Sequence, residues 1–159
     1  MSFGARVGAL LTELGNWMDR HGQRFGSAVV ALLSGGLLGV AAWLEPAVAG
    51  HGTHEQLGLD PCTFLALTDV PCPMCGATTT FSLMADLRWI EGILNQPFAA
   101  VLFLVTVGSF SVSLAEALAP RGRWAKLSAR LQPYELRIIA ALGCFMLFGW
   151  IYKWAIMAA

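Results

Sequence analysis

Three long runs of apolar residues alternate with polar stretches along the chain. Residues 25–44 and 97–115 contain no charged side chain, and residues 138–157 contain only Lys153, near the end of the run. About twenty helical residues cross the hydrocarbon of a bilayer, where backbone groups must find partners within their own segment. The pattern therefore predicts an all-α integral membrane protein with three transmembrane helices. We expect Lys153 to extend its amine to the lipid headgroups.

Shorter patterns predict the segments outside these spans. Apolar residues at three- and four-residue spacing predict amphipathic helices over residues 3–20 and 77–94, the first of which ends at residues 21–22. Residues 45–76 are rich in Pro, Gly, Thr and Asp and predict an irregular segment, which we call the cysteine loop. Residues 116–137 form a basic connection, so the chain is predicted to be a single membrane domain.

Basic residues are distributed unevenly between the two sides that three crossings create. Eight lie before the first span or within residues 116–137, and two lie between the first two spans or in the carboxyl-terminal run. Segments rich in Lys and Arg stay on the cytoplasmic side of a membrane. We therefore expect a cytoplasmic amino terminus, with the cysteine loop and the carboxyl terminus outside.

The amino-acid composition is that of a membrane protein and argues against a soluble domain or a nucleic-acid-binding protein. The chain is 57% hydrophobic and 13% charged, whereas soluble domains have about 25% charged residues. Its net charge is zero and no basic block stands out, so nucleic acid is not an expected partner, and membrane lipid is. We interpret residues 25–44 as an uncleaved anchor, because this apolar run is longer than the core of a typical signal peptide.

The spans themselves favour association over transport. Ala31, Gly35 and Gly39 recur every four residues and form a small-residue face on which another helix can pack closely. The spans carry no buried carboxylate, histidine or arginine of the kind that transporters display. Because three helices make a thin bundle, we expect self-association or membership of a larger membrane protein complex.

Candidate chemistry is concentrated in the cysteine loop. Cys72 and Cys75 form the tetrapeptide Cys-Pro-Met-Cys, which has the spacing of thiol–disulfide oxidoreductases, directly before the helix predicted at 77–94. The positive end of a helix dipole lowers the pKa of a thiol placed there. Under a redox hypothesis, this pair cycles between dithiol and disulfide, and Cys62 is the resolving thiol or the partner in a mixed disulfide. A quinone would be a cofactor under this hypothesis alone.

Two other interpretations of the same residues stay open. His51 and His54, together with Cys62, Cys72 and Cys75, offer five ligands within 25 positions. Four of them would complete a tetrahedral zinc site of three cysteines and one histidine. Alternatively, a disulfide between two of the three cysteines simply staples a loop that has little core of its own.

The surroundings of these cysteines carry a family resemblance. The matching residues are Gly52-Thr53-His54, Gln56-Leu57-Gly58-Leu59, Pro61-Cys62, Ala66-Leu67-Thr68, Val70-Pro71-Cys72-Pro73-Met74-Cys75-Gly76, Thr78-Thr79 and Gln96-Pro97-Phe98. The chain resembles an uncharacterised bacterial family of small integral membrane proteins, a domain of unknown function marked by Cys-Pro-x-Cys-Gly-x-Thr. The recurrent positions of the family correspond here to His54, Cys62, Cys72, Cys75, Gly76 and Thr78.

The resemblance has two departures and sets the expected location. Thr79 stands where many members have Arg, and Asp69 stands where Gly is frequent. The family implies a bacterial cytoplasmic membrane but has no established activity to carry over. We expect a non-catalytic subunit or accessory component of a membrane complex, whose disulfide-stapled or metal-clamped outer loop docks a partner. The enzymatic alternative is a membrane thiol–disulfide redox protein that uses Cys72 and Cys75.

Overall fold

Helices and the turns between them make up the described chain. The computed structural model describes residues 3–158, without the side chains of residues 3–11 and 14–20. Residues 3–158 contain no β-strand, so the predicted all-α fold is confirmed. The helices of this part are α1 (Phe3–Trp43), α2 (Thr63–Thr68), α3 (Ala77–Ala85), α4 (Trp89–Asn95), α5 (Pro97–Leu118), α6 (Arg123–Leu131) and α7 (Glu135–Ala158), with 3-10 helices at Thr53–Leu57 and Gln132–Tyr134.

Three of these segments are long and apolar enough to cross a membrane, as the sequence predicts. They are His21–Trp43 in α1, Pro97–Leu118 in α5, and Arg123–Ala158, whose apolar part is α7. The start of α5 is well defined, since the Gln96 side chain accepts a hydrogen bond from the Ala99 N–H (2.7 Å) and Pro97 occupies the first turn. These helices fit a membrane protein.

α1 and α5 form the most extensive helix pair. Ala31 in α1 is buried, and a Cβ atom built on Gly35 would lie 2.9 Å from Cε2 of Phe110 in α5. Glycine at position 35 therefore lets the Phe110 ring lie directly against the α1 backbone. Gly39 borders open space, because no described atom outside its own helix lies within 4 Å of a Cβ built there. The close approach of the two helices is centred on Gly35.

α3 packs against both of these helices. Its buried Met84 forms a core with Ala100 and Phe103 of α5, and Leu38 of α1 packs against that core. Phe81 meets Phe103 edge to face, with ring centroids 5.4 Å apart. This three-way contact fixes the position of α3 and therefore of its first residue, which follows the cysteine motif.

α7 is attached mainly through its carboxyl-terminal half. Trp150 Nε1 donates a hydrogen bond to the Pro71 carbonyl (2.7 Å), and the Tyr152 hydroxyl donates one to the Leu94 carbonyl (2.7 Å). Gly149 allows close contact with Phe98, whose Cβ lies 3.0 Å from the Cβ position of the glycine. The rest of α7 presents large apolar side chains outward.

The amino-terminal boundary differs from the prediction. α1 continues through residues 21–22, so the amphipathic helix predicted at 3–20 and the first span form one helix. A glycine inside a helix costs about 1 kcal/mol relative to alanine, but Gly22 keeps its backbone hydrogen-bonding groups. The apolar face predicted for 3–20 depends on side chains that lie outside the described ones.

The single helix predicted at 77–94 is wrong, because it is divided into α3 and α4. Leu87 adopts a left-handed conformation (φ 61°) and its N–H bonds the Met84 carbonyl, while the Arg88 N–H bonds the Leu83 carbonyl (2.9 Å). This is the Schellman pattern of helix termination. Glycine usually occupies the position that Leu87 takes, so the sequence carries no signal for the break.

Both connections contain helices that the sequence analysis does not predict. The cysteine loop contains α2 and a 3-10 helix, and residues 116–137 contain α6. The buried Glu116 carboxylate accepts hydrogen bonds from the backbone N–H groups of Gly122 (2.6 Å) and Arg123 (3.1 Å). An acidic residue at the end of α5 therefore ties the start of α6 to it.

We expect Gly35→Leu to destabilise the protein by about 1–3 kcal/mol, because the new side chain overlaps the Phe110 ring. Gly36→Leu is the matched control, since Gly36 is exposed and no described atom outside its helix lies within 4 Å of its Cβ position. Thermal unfolding in mild detergent measures both variants. Equal stability of the two variants would contradict the packing of α1 on α5.

Candidate functional site

The cysteine loop places Cys62 at the start of α2. The Cys62 carbonyl accepts the first hydrogen bond of this helix, from the Ala66 N–H (3.0 Å). Asp69 ends the helix in the left-handed conformation, at φ 55°. Aspartate adopts this conformation more readily than most residues, which explains how it can stand where the resembled family frequently has Gly.

A tight turn places Cys72 and Cys75 before α3. The Cys75 N–H bonds the Cys72 carbonyl (2.9 Å), and Gly76 then begins α3 with φ 83°. A Cβ on Gly76 would lie 2.5 Å from the Gly50 carbonyl oxygen, so glycine is required both for the turn and for the packing. Gln96 Nε2 also donates to the Pro73 carbonyl (3.1 Å) within the turn.

Three thiols converge at this point, with Cys72 in the middle. Cys72 lies close enough to Cys62 and to Cys75 for each of them to shift its pKa. Cys75 is buried, with 5% of its surface exposed, whereas Cys62 and Cys72 are half-buried. All four cysteines of the described chain are free thiols, and Cys144 is exposed on α7. The structure thus brings together the three cysteines that the sequence singled out.

The same thiols border a cavity of about 420 Å³. All five candidate ligands, His51, His54, Cys62, Cys72 and Cys75, lie in its wall. Among the described residues, however, no three His, Cys, Asp or Glu side chains are placed to hold a metal ion together. His54 Nε2 instead lies 3.2 Å from the Asp60 carbonyl oxygen. The candidate zinc ligands therefore line one cavity, but they are not arranged as a metal coordination site.

The expected effect of the helix dipole on the Cys72 and Cys75 thiols is wrong. Burial raises the pKa of Cys75 to about 11, and the neighbouring Cys72 and Cys62 sulfurs add to this rise. Burial also raises the pKa of Cys72. The free-energy cost of removing a thiolate from water is therefore larger here than the stabilisation that the amino terminus of α3 provides.

Cys62 is the thiol whose acidity is increased. The Leu65 backbone N–H in the first turn of α2 lowers the pKa of Cys62 more than burial raises it. Hydrogen bonding to the charged form favours that form. At neutral pH, Cys62 therefore has the largest thiolate fraction of the three clustered cysteines.

Hydroxyl and amide side chains join the loop to α3. The Thr53 and Thr79 hydroxyls share a hydrogen bond (2.8 Å), and Thr53 also accepts one from the Ala47 N–H (3.0 Å). Asn95 Nδ2 donates to the Gly76 carbonyl (3.1 Å) and to the Thr80 hydroxyl (2.9 Å). Sequence reasoning missed these contacts.

Lys153 is also placed differently from the prediction. Its side chain does not extend toward headgroups but is buried, with Nζ donating to the Gly50 carbonyl (3.0 Å) and to Asn95 Oδ1 (2.8 Å). The Gly50 carbonyl in the loop and the Asn95 side chain at the end of α4 supply acceptors, so the amine turns inward. The third span therefore contributes a cation to the cysteine site.

Gly76→Ala should destabilise the protein more than Gly58→Ala. Both glycines are left-handed (φ 83° and 76°), so each variant pays about 1–2 kcal/mol for the backbone. Only the Gly76 variant also overlaps the Gly50 carbonyl, while the Gly58 position borders open space. Unfolding midpoints in detergent measure the difference. Equal losses would contradict the packing of this turn.

Alkylation should distinguish Cys62 from Cys75. In variants that retain only one cysteine, the iodoacetamide rate of Cys62 should rise with pH to a midpoint below the ordinary thiol value of 9.0, because the Leu65 N–H persists. The midpoint for Cys75 should lie above 9.0, because its burial, the largest cause of the rise, persists. Thiolate is the reactive form, so Cys62 reacts faster at neutral pH. A lower midpoint for Cys75 would contradict the described environments.

Comparison with known proteins finds a family match for the segment that contains the three clustered cysteines. Residues 62–110 match the model of a family described as protein of unknown function (DUF2752). No curated protein and no solved structure matches the chain. The match begins at Cys62 and covers the three clustered cysteines, α3, α4 and the first part of α5. The predicted resemblance to an uncharacterised family is therefore confirmed over the segment that builds the thiol cluster.

Proposed function

We propose that the protein is a membrane thiol–disulfide exchange protein, with Cys62, Cys72 and Cys75 as a three-thiol relay. The observation that carries this proposal is the central position of Cys72 among three thiols that line one cavity, close enough to both others for each to shift its pKa. A disulfide that only staples a loop requires two sulfurs. A third thiol beside it can attack it and move the bond, which is the elementary step of exchange.

The different environments of the thiols suggest an order of events. Cys62 is half-buried and has a lowered pKa, so it is the thiol suited to attack a disulfide of a partner protein. The attack forms a mixed disulfide on Cys62, and one partner sulfur leaves as a thiolate that takes up a proton. Cys72 then attacks the Cys62 sulfur and releases the second partner sulfur as a thiol.

These steps conserve atoms and electrons. The partner disulfide gains two electrons and two protons, and the Cys62–Cys72 dithiol loses them on becoming a disulfide. Cys75 can then attack Cys72, which moves the bond to Cys72–Cys75 and returns Cys62 to a free thiol. Oxidising equivalents would thereby pass from an accessible sulfur to a buried one.

The location that we propose suits this chemistry. The asymmetry of basic residues favours a cytoplasmic amino terminus and an outward-facing cysteine loop in a bacterial cytoplasmic membrane. Thiols outside the cytoplasm meet an oxidising environment in which disulfides form and persist. Partner proteins that carry disulfides are expected on that side.

A second candidate is a non-catalytic component of a membrane complex with a stapled loop. The observation that favours it is the exposure of apolar side chains on α7, including Leu136 (80%), Ile139 (59%), Phe148 (57%) and Ile151 (60%). Such a face can pack against lipid, a second copy or another subunit. Under this candidate, the cysteines would hold one disulfide that does not exchange.

The exchange proposal is tested with reduced full-length protein in detergent and glutathione disulfide as the probe. We expect Cys72→Ser to accumulate a mixed disulfide on Cys62, because the thiol that resolves it is missing. Cys62→Ser should slow the reaction by at least about tenfold. Cys144→Ser is the control and should react like the unmodified protein, since Cys144 lies on α7 outside the cluster.

Two results would overturn the proposal. One is an unchanged rate in Cys62→Ser, and the other is glutathione bound mainly to Cys144. If the protein instead holds one disulfide that does not exchange with glutathione, the result would support the non-catalytic component. Peptide mass spectrometry identifies the modified cysteine in each case.

A further inference from the structure

We propose that Lys153 is a positioning residue that supplies the counter-charge for the Cys75 thiolate formed during exchange. This inference rests on the function proposed above, in which Cys75 attacks the Cys72 sulfur. It assigns a task in the relay to a lysine that lies 58 residues from Asn95 and 103 residues from Gly50, its two hydrogen-bond partners.

Lys153 is a buried cation whose partners are uncharged. Only 3% of its surface is exposed, and its Nζ atom donates to a backbone carbonyl and to an amide oxygen. The ion pairs among the described residues are Arg88–Glu91 and Arg123–Glu116, so no carboxylate there neutralises it. A buried charge is costly unless an opposite charge lies nearby. The position therefore favours an anion beside the ammonium group.

Cys75 is the group in this neighbourhood that can become that anion. A Cβ built on Gly76, the next residue in the chain, would lie 3.1 Å from Lys153 Nζ. Asn95 links the two sites, because Nδ2 donates to the Gly76 carbonyl and Oδ1 accepts from Lys153. The ammonium of Lys153 lowers the pKa of Cys75, against the larger rise that burial causes.

The neighbouring sulfurs cannot supply this counter-charge. Cys72 and Cys62 each raise the pKa of Cys75, since a second negative sulfur repels the first. His51 and His54 line the cavity that contains all three thiols, but His54 already faces the Asp60 carbonyl. Without Lys153, the buried sulfur would have to ionise next to other sulfurs alone. With it, the last thiol of the relay can act as a nucleophile.

The test separates charge from hydrogen bonding. Lys153→Gln keeps an N–H donor, on a side chain one atom shorter, but removes the charge, and Lys153→Arg keeps the charge. The variants are made in the full chain with Cys75 as the only cysteine (Cys62→Ser, Cys72→Ser and Cys144→Ser). The iodoacetamide rate at neutral pH is then compared with that of the same chain carrying Lys153.

We expect Lys153→Gln to slow the alkylation of Cys75 by about tenfold, the effect of a change of one unit in thiol pKa. Lys153→Arg should restore the rate to within about threefold. Trp150→Phe is the control for loosening of α7, since it removes the hydrogen bond to the Pro71 carbonyl without changing charge. An unfolded variant would expose Cys75 and react faster, so loss of the fold cannot mimic the expected slowing.

Three results would overturn the inference: an unchanged or faster rate in Lys153→Gln, an equally slow rate in Lys153→Arg, or an equally slow rate in Trp150→Phe. The assay uses no disulfide substrate. Slower alkylation in Lys153→Gln together with no glutathione exchange at Cys62 would therefore refute the proposed function and leave the pairing of Lys153 with Cys75 standing. Normal exchange with unchanged alkylation would refute only the pairing.

Discussion

Hydrogen bonds from Asn95 and Lys153 gather three distant parts of the chain at one point. Asn95, at the end of α4, donates to Gly76, which precedes α3, and to Thr80 in α3. Lys153 in α7 donates to Asn95 and to Gly50 of the loop. Buried polar groups that are fully hydrogen-bonded specify one arrangement, since any other leaves some of them unpaired. This junction fixes the turn that carries Cys72 and Cys75 against the ends of the apolar helices.

The chemistry of the site follows from how this junction divides the cysteines. Cys75 is held inside, beside a lysine from the third apolar helix, whereas Cys62 stays near the surface under a backbone N–H of α2. Cys72 lies between them, close enough to each for both to shift its pKa. One cluster therefore contains an acidified outer thiol, a shared central thiol and a buried inner thiol. These differences give the proposed relay a direction that three equivalent sulfurs would lack.

The long helices and the cysteines of the site could be predicted from the sequence. The helix break and the contacts that surround these cysteines could not. Uninterrupted apolar runs suffice to identify helices of spanning length, and the spacing of Cys62, Cys72 and Cys75 suffices to group them. The break at Leu87 carries no glycine or proline. A lysine near the end of a span can extend to headgroups or turn inward, and for Lys153 the distant Gly50 carbonyl and Asn95 amide oxygen decide this. The acidity of Cys75 likewise depends on burial that local spacing does not reveal.

The central claim is that Cys72 adjoins two other thiols in one folded molecule, and mild oxidation followed by disulfide mapping tests it most directly. Peptide mass spectrometry of the full-length protein in detergent should find two alternative intramolecular disulfides, Cys62–Cys72 and Cys72–Cys75, in molecules of the same preparation. Cys144 should remain a free thiol. A single disulfide that excludes Cys72, or bonds formed mainly between molecules, would contradict the account.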